Sequence, residues 1–344
     1  MITNVPSIPT NDEASNLTTS QTQDLLPCPV ANHIYNPTTG QRETIDTLLA
    51  GTNIGKQALS YELGRLAKGL DNRVQFTDAI EFIHRHEVPV GSKVTYANLV
   101  CDYRPLKSES NRVRITVGGD RIPYSQDAGS PAVTLIEAKL LINSTISDSA
   151  NGARFLAADI KDFVLSSPMT KPEYMRIHSK YFFEDISRQY NIQQKIASDG
   201  FVYIKIKKGM YGLKQTAILA YQNLVKNMKP FGYFPCPSTT GLWRHKDRRT
   251  KFCLCTDDFG VKYNTDNDKQ HFLDAFKTCY TISVNEEGKN YLGLQLEWNY
   301  QNGYVDIFMP TYISKLLSRL KHPNPLRPQH TPHRWTQPAY GNQI

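Results

Sequence analysis

Apolar residues recur along this chain in two rhythms. Between Lys56 and Leu70, Leu59, Leu63 and Leu66 stand three or four apart with Lys and Arg between them, the spacing of an amphipathic helix. Lys93–Val100 and Arg112–Val117 read as strands separated by a charged loop at 107–111, and Gly118 with Gly119 marks a turn. A helix over Leu135–Ile146, carrying Ile136, Leu140 and Leu141, feeds the apolar run Phe155-Leu-Ala-Ala that stops at Asp159. Phe201–Lys207 alternates strictly, with Val202, Ile204 and Ile206 on one face, until Gly209 and Gly212 break it. A helix from about Leu213 to Met228 follows, its stripe made of Ala217, Tyr221, Leu224 and Met228, with Gln215 in its first turn.

The second half repeats both rhythms. Lys251–Tyr263 places Phe252 and Leu254 on one short arm and Phe259 and Val261 on another, around Asp257-Asp258, so the simplest reading is a β-hairpin that exposes its carboxylates. Asp268–Tyr280 reads as a helix with Phe272, Ala275, Phe276 and Cys279 inward. Tyr291–Trp298 and Tyr304–Phe308 are strands joined through Asn302-Gly303, a strong hairpin signal. Pro310 opens a last helix with Ile313, Leu316, Leu317 and Leu320, followed by a Pro- and His-rich stretch from His322 to Pro338.

Composition narrows the picture. Residues 1 to about 40 are rich in Thr, Ser, Asn, Pro and Gln, which predicts a flexible lead-in over 1–43 and structure beginning near Thr44. Lysine and arginine total 40 against 32 acidic residues, a formal net charge of +8, which favours a polyanionic partner. The 344 residues, 40% of them hydrophobic, suffice for two or three packed lobes. The six cysteines show no paired metal-site spacing, so reduced thiols are expected, and His322, His330 and His333 lack acidic or cysteine partners. No 18-residue apolar run and no leader-type N-terminus is present, so the expectation is no membrane partner and an intracellular, cytoplasmic location.

The candidate chemistry lies in three carboxylates. Asp159 and Asp257 each end an apolar run, which would place them, with Asp258, at the mouths of neighbouring strands where hard divalent cations are held by oxygen ligands. An Asp-Asp pair alone usually marks a solvated turn; the flanking apolar arms are what shift the reading towards a two-metal site for nucleotidyl transfer. Arg112 and Arg114 alternate with Val113 and Ile115 and so project from one side of a strand, where guanidinium groups suit a triphosphate.

Asp159, the Lys208-Gly-Met-Tyr-Gly-Leu-Lys-Gln215 segment and the Thr256-Asp257-Asp258 tip occur in the order and spacing of the reverse transcriptase of copia-type (Pseudoviridae) LTR retrotransposons. The resemblance runs from about Leu63-Gly-Arg-Leu-Ala-Lys68 through Val94-Thr-Tyr and Arg112–Gly119 to Tyr291-Leu-Gly293 and Tyr312-Ile-Ser-Lys315. It implies an α+β right-hand polymerase: a fingers region over 44–150, a ferredoxin-like palm with the catalytic carboxylates over 151–298, and a primer-grip end with a partial thumb and connection over 299–344. It further implies an RNA-directed DNA polymerase cut from a Pol polyprotein, using two Mg2+ ions, or Mn2+ in their place, on an RNA or DNA template with primer and dNTPs. Asp159, Asp257 and Asp258 would be catalytic and metal-binding; Arg112, Arg114, Phe163, Val164 and Gln215 would meet the nucleotide. Cys255 departs from the family's Tyr, and Val164 stands where an aromatic ring normally rejects a ribose 2′-hydroxyl, with Phe163 as the competing residue. The alternative function is a catalytically inert, degenerate polymerase-like fragment that binds nucleic acid or a host partner.

Overall fold

The computed structural model describes residues 33–35, 42–44, 53–71, 74–103 and 111–321. Most of the predicted lead-in, most of the charged loop and the His322–Pro338 stretch lie outside the described residues. Within the lead-in, however, β1 (His33–Tyr35) pairs antiparallel with β2 (Arg42–Thr44), so the expected onset near Thr44 is too late. The chain divides into two compact units, 1–28 with 309–344, and Pro29–Phe308.

In the larger unit, α1 (Asn53–Leu66) buries Leu59, Leu63 and Leu66, as its spacing predicts. It stops short of the predicted Leu70 because Gly69 takes φ +92° and its N–H caps the Gly64 carbonyl. A five-stranded sheet packs beside it, made of β3 (Ile80–Ile83), β4 (Val94–Tyr103), β5 (Asn111–Val117), β7 (Pro168–His178) and β8 (Phe201–Lys208), in the order β3-β8-β7-β4-β5. Val202, Ile204 and Ile206 of β8 are fully buried.

Helix α2 (Leu135–Ser147) begins at Thr134, whose hydroxyl accepts from the Glu137 N–H while Glu137 reaches back to the Thr134 N–H, a reciprocal cap. It buries Ala138, Leu141 and Ile142; the expected Ile136 and Leu140 face outward. Next come β6 (Arg154–Ile160), the short helices α3 (Glu184–Gln189) and α4 (Ile192–Lys195), and α5 (Thr216–Met228). The buried stripe of α5 is Thr216, Ala220, Tyr221, Leu224 and Met228, one position out of phase with the expected Ala217, which is exposed.

A second, six-stranded sheet combines β6 with β9 (Tyr233–Cys236), β10 (Thr239–His245), β11 (Lys251–Cys255), β12 (Asp258–Tyr263) and β13 (Ile282–Asn285), in the order β13-β6-β12-β11-β10-β9. Between β12 and β13 runs α6 (Asp266–Cys279), capped by Thr265. The connectivity β6-α5-β11-β12-α6-β13, with β12 inserted between β6 and β11, is that of a split βαβ layer. An aromatic cluster fills the interface between sheet and helices: Trp243 stacks on Phe252 at 5.2 Å, and Phe252 meets Phe272 and Phe276 edge-on at 5.5 and 5.7 Å. Such pairs each add about 0.5–1.5 kcal/mol beyond burial. Cys279, expected inward, is exposed, because the inward positions at this end of α6 are Phe272, Ala275 and Phe276.

The predicted strand over Tyr291–Trp298 is two strands. Leu292 (φ +51°) and Gly293 (φ +76°) reverse the chain, so β14 (Asn290–Tyr291) folds back onto β15 (Leu294–Asn299), and β16 (Tyr304–Phe308) completes a three-stranded sheet. The predicted hairpin at Asn302-Gly303 is present, with Gly303 at φ +70°. Helix α7 (Pro310–Arg319) starts at the predicted proline and belongs to the smaller unit.

Candidate active site

Strand register brings the carboxylates together. β12 runs antiparallel to β6 with Asp258 directly opposite Asp159, and β11 joins β12 through a two-residue turn at Thr256-Asp257. The Asp257 carbonyl accepts from the Ile160 N–H at 3.0 Å, which sews the tip of the hairpin to the end of β6. Thr256 takes φ +59°, a conformation that β-branched residues rarely adopt, held by the ladders on either side. The apolar residues that follow Asp258 explain the rigidity of the mount: Phe259 and Val261 are fully buried.

The electrostatics follow from this crowding. Partial burial of the Asp258 carboxyl, and then repulsion from Asp257 and Asp159, push it up to about 6. Burial, and then the same Asp258 and Asp257 charges, raise the neighbouring Cys255 thiol above its ordinary range. Among the described residues no set of three or more His, Cys, Asp or Glu side chains converges into a cage that would hold an ion unaided. The donors nevertheless suit magnesium, which prefers hard oxygens and binds through one or two carboxylates plus waters and substrate phosphates. A cleft of about 340 Å³ opens beside the carboxylates, lined by Asp159, Asp258, Ser283, Asn285, Tyr291 and Gly293 among others.

The basic strand reaches the same region through a loop contact. On β5, Val113 and Ile115 are buried while Arg112 and Arg114 are half-exposed, as the alternation predicts. The Arg114 guanidinium lies 4.5 Å from the centre of the Tyr211 ring. The Tyr211 carbonyl accepts from the Val117 N–H at 2.7 Å. That close approach requires glycine: a Cβ on Gly212, which takes φ +97°, would stand 2.0 Å from the Val117 carbonyl oxygen, and one on Gly119 would stand 2.0 Å from the Gly212 oxygen. Burial raises the Tyr211 phenol pKa, with Arg114 and Arg65 opposing and Asp257 and Asp162 adding to the rise, so this phenol sits in the field of both the cations and the carboxylates. Tyr211 and Arg65 lie in the Lys208–Gln215 and Leu63–Lys68 segments that carry the resemblance, but neither is expected from sequence to stand beside the carboxylates; that placement comes from the fold.

The remaining expected residues lie deeper. Gln215 is the N-cap residue of α5, and only 6% of its surface is exposed. Its amide nitrogen points to the Glu173 carboxylate at 3.5 Å, while its oxygen has no hydrogen-bond partner among the described residues. A water-facing Gln at a helix start is therefore not what the structure places there. Phe163 and Val164 are both buried, Phe163 with its ring 6.1 Å from that of Tyr280. β6 ends at Ile160 and the chain turns at Asp162 (φ +56°) into a 3-10 turn over Val164–Ser166, so Phe163 and Val164 lie beyond the strand and its alternation does not decide which of them faces the sugar.

No family model matches this chain, and no curated protein matches it. Among solved structures, it is similar to an apo telomerase from Candida tropicalis truncated from the C-terminal domain, at 11% identity and a TM-score of 0.37, over 74% of this chain and 60% of that one. It is also similar to a telomerase from Candida albicans in complex with a fragment of telomeric RNA, at 10% identity and a TM-score of 0.33, over 63% of this chain and 46% of that one. The chain thus spans less than two thirds of either telomerase. No helix among the described residues is long and apolar enough to cross a membrane.

Proposed function

We propose that this chain is the polymerase portion of a copia-type reverse transcriptase, an RNA-directed DNA polymerase that transfers nucleotides from dNTPs to a primer 3′-hydroxyl on an RNA or DNA template. The observation that carries this reading is the register that sets Asp258 opposite Asp159 while Asp257 is bonded to the end of the same strand. In this reading the six-stranded sheet is the palm, the five-stranded sheet with α1 the fingers, β14–β16 the primer grip, and α7 the start of a partial thumb. The bounds expected at 150 and 298 therefore shift, because β7 and β8 pair with β4 and β3, and β14 and β15 share a sheet with β16.

Asp159, Asp257 and Asp258 would hold two Mg2+ ions, with Mn2+ as the substitute; when bound, the ions supply activation of the attacking hydroxyl and neutralise charge on the departing pyrophosphate. The chain's own part is positioning. The hairpin and β6 together hold the three carboxylates on hydrogen-bonded backbone, Arg114 brings a multi-donor cation for the triphosphate, and the cleft beside β14 gives the primer end a place against the carboxylates. The net charge of +8 assists binding of the nucleic-acid backbone.

Primer extension on a homopolymer RNA template in magnesium tests the reading. Template-dependent synthesis by the parent, lost in Asp159→Asn with primer–template affinity unchanged, is the expected result. Extension at the parental rate by Asp159→Asn would remove the two-metal assignment. A parent that binds primer–template but extends nothing would instead be the inert polymerase-like fragment.

A further inference from the structure

Glu62, on α1, is a carboxylate with only 4% of its surface exposed. Its oxygens accept from Arg65 Nε at 2.9 Å and Nη2 at 3.0 Å, a two-pronged pair, and Oε1 also lies 3.3 Å from the Ile115 N–H of β5. The other arm of Arg65, Nη1, forms an ion pair with Asp162. Asp162 sits in the turn that leaves the Asp159 strand, in a left-handed conformation, and its carbonyl accepts from the Ser166 N–H at 3.0 Å. The Arg65 guanidinium is therefore fastened to Glu62 of its own helix and to the turn after Asp159, and Glu62 in turn holds the strand that carries Arg114. Burial alone would lower the Arg65 pKa; Glu62 and Asp162 outweigh it and raise the value, so the group stays charged.

Such a buried set is a poor device for stability, because the cost of taking the charges out of water offsets their attraction and apolar packing serves as well. What it provides is direction. A planar guanidinium offers donors along fixed lines, and its pair with Asp162 ties the turn after Asp159 to α1. We propose that Glu62, Arg65 and Asp162 form a positioning triad for nucleotidyl transfer, setting the turn behind Asp159 against the strand that carries Arg114; this rests on the polymerase reading above. The triad touches no substrate and acts through the placement of Asp159 and Arg114. Lysine at position 65 keeps the charge but cannot reach both carboxylates along fixed directions, so it does not restore the placement.

Removing Arg65 outright leaves Glu62 buried without its cation and invites misfolding, so the deciding variants are Asp162→Asn and Arg65→Lys. Both are expected to keep the parental primer–template affinity and a thermal midpoint near the parent's. Incorporation should fall by roughly tenfold to a hundredfold, the scale of a misplacement of about 1 Å, with kcat lowered and KM for dNTP raised. The double variant should be no worse than the weaker single, since residues acting as a unit do not give multiplying losses. Amide hydrogen exchange should quicken at 159–166 and at Ile115 in both single variants. Parental incorporation in Asp162→Asn, or losses that multiply in the double variant, would overturn the triad. If the parent itself extends no primer, the polymerase reading fails and the triad's part in nucleotidyl transfer is overturned with it. The exchange measurement then separates the two failures, since faster exchange confined to those amides still shows that the triad holds the turn against the strand, and unchanged exchange shows that it does not.

Discussion

Asp258→Asn should stabilise the folded chain while weakening its chemistry. In the native state the Asp258 carboxyl is pushed from its ordinary 3.8 to about 6, first by partial burial and then by Asp257 and Asp159. A raised carboxyl means that the folded state binds the proton more tightly than the unfolded state. The associated stability is therefore full at low pH and is lost as pH rises from about 4 through about 6. Taken at face value, the shift costs about 3 kcal/mol at neutral pH. The Asp258 carboxyl is only partly buried and the rest of the residue is open to water, so screening reduces this to roughly 1 kcal/mol. Asparagine keeps the shape and removes the repulsion. Thermal denaturation without divalent ions should then show the variant's midpoint about 2–4 °C above the parent's at pH 7.5, and no gain at pH 4. Magnesium should raise the parent's midpoint more than the variant's, because a ligand that binds the native state stabilises in proportion to its affinity. A variant no more stable than the parent at pH 7.5, or one that gains equally at both pH values, would refute the account of crowded carboxylates.

Asp159→Asn and Asp257→Asn should each abolish primer extension and leave template affinity within about twofold, measured by fluorescence anisotropy, since each removes a metal ligand and no phosphate-binding cation. Arg114→Ala should raise KM for dNTP more than it weakens template binding, because the lost group lies over Tyr211, whose phenol also feels the Asp257 charge; an unchanged KM with reduced template affinity would move Arg114 to the nucleic-acid groove. Val164→Tyr, the substitution expected to restore rejection of ribonucleotides, should first cost about 1–3 kcal/mol in urea denaturation, since the site is buried and the Val164 carbonyl lies 2.6 Å from where a Cβ on Gly209 would be. The ratio of dNTP to rNTP incorporation in Val164→Tyr and in Phe163→Ala then shows which of the two residues controls the sugar, with discrimination that collapses only in Phe163→Ala excluding Val164.

Much of the local structure was legible because its cause is local. The leucines of α1, the alternation of β8, the apolar arms around Asp257-Asp258 and the turn at Asn302-Gly303 all depend on neighbours within a few positions, and the structure places them as the spacing predicts. Where a helix face or a strand end depends on what packs across from it, the spacing misled. Ile136 and Leu140 turn outward because α2 meets its sheet through Ala138, Leu141 and Ile142, and Tyr291–Trp298 breaks because Leu292 and Gly293 reverse the chain.

The sequence by itself determined which residues are the candidates for the chemistry and which strands mount them, since a carboxylate closing an apolar run is a local fact about composition. Only the tertiary structure decided who stands opposite whom. The pairing of Asp159 with Asp258 is a matter of strand register, and the link of Arg65 to Asp162 joins residues 97 positions apart. Contacts at that separation leave no period in the chain. They are fixed by the packing of the two sheets and by glycines at 119 and 212 that let backbones meet, so the charges they bring together become visible only once the chain has folded.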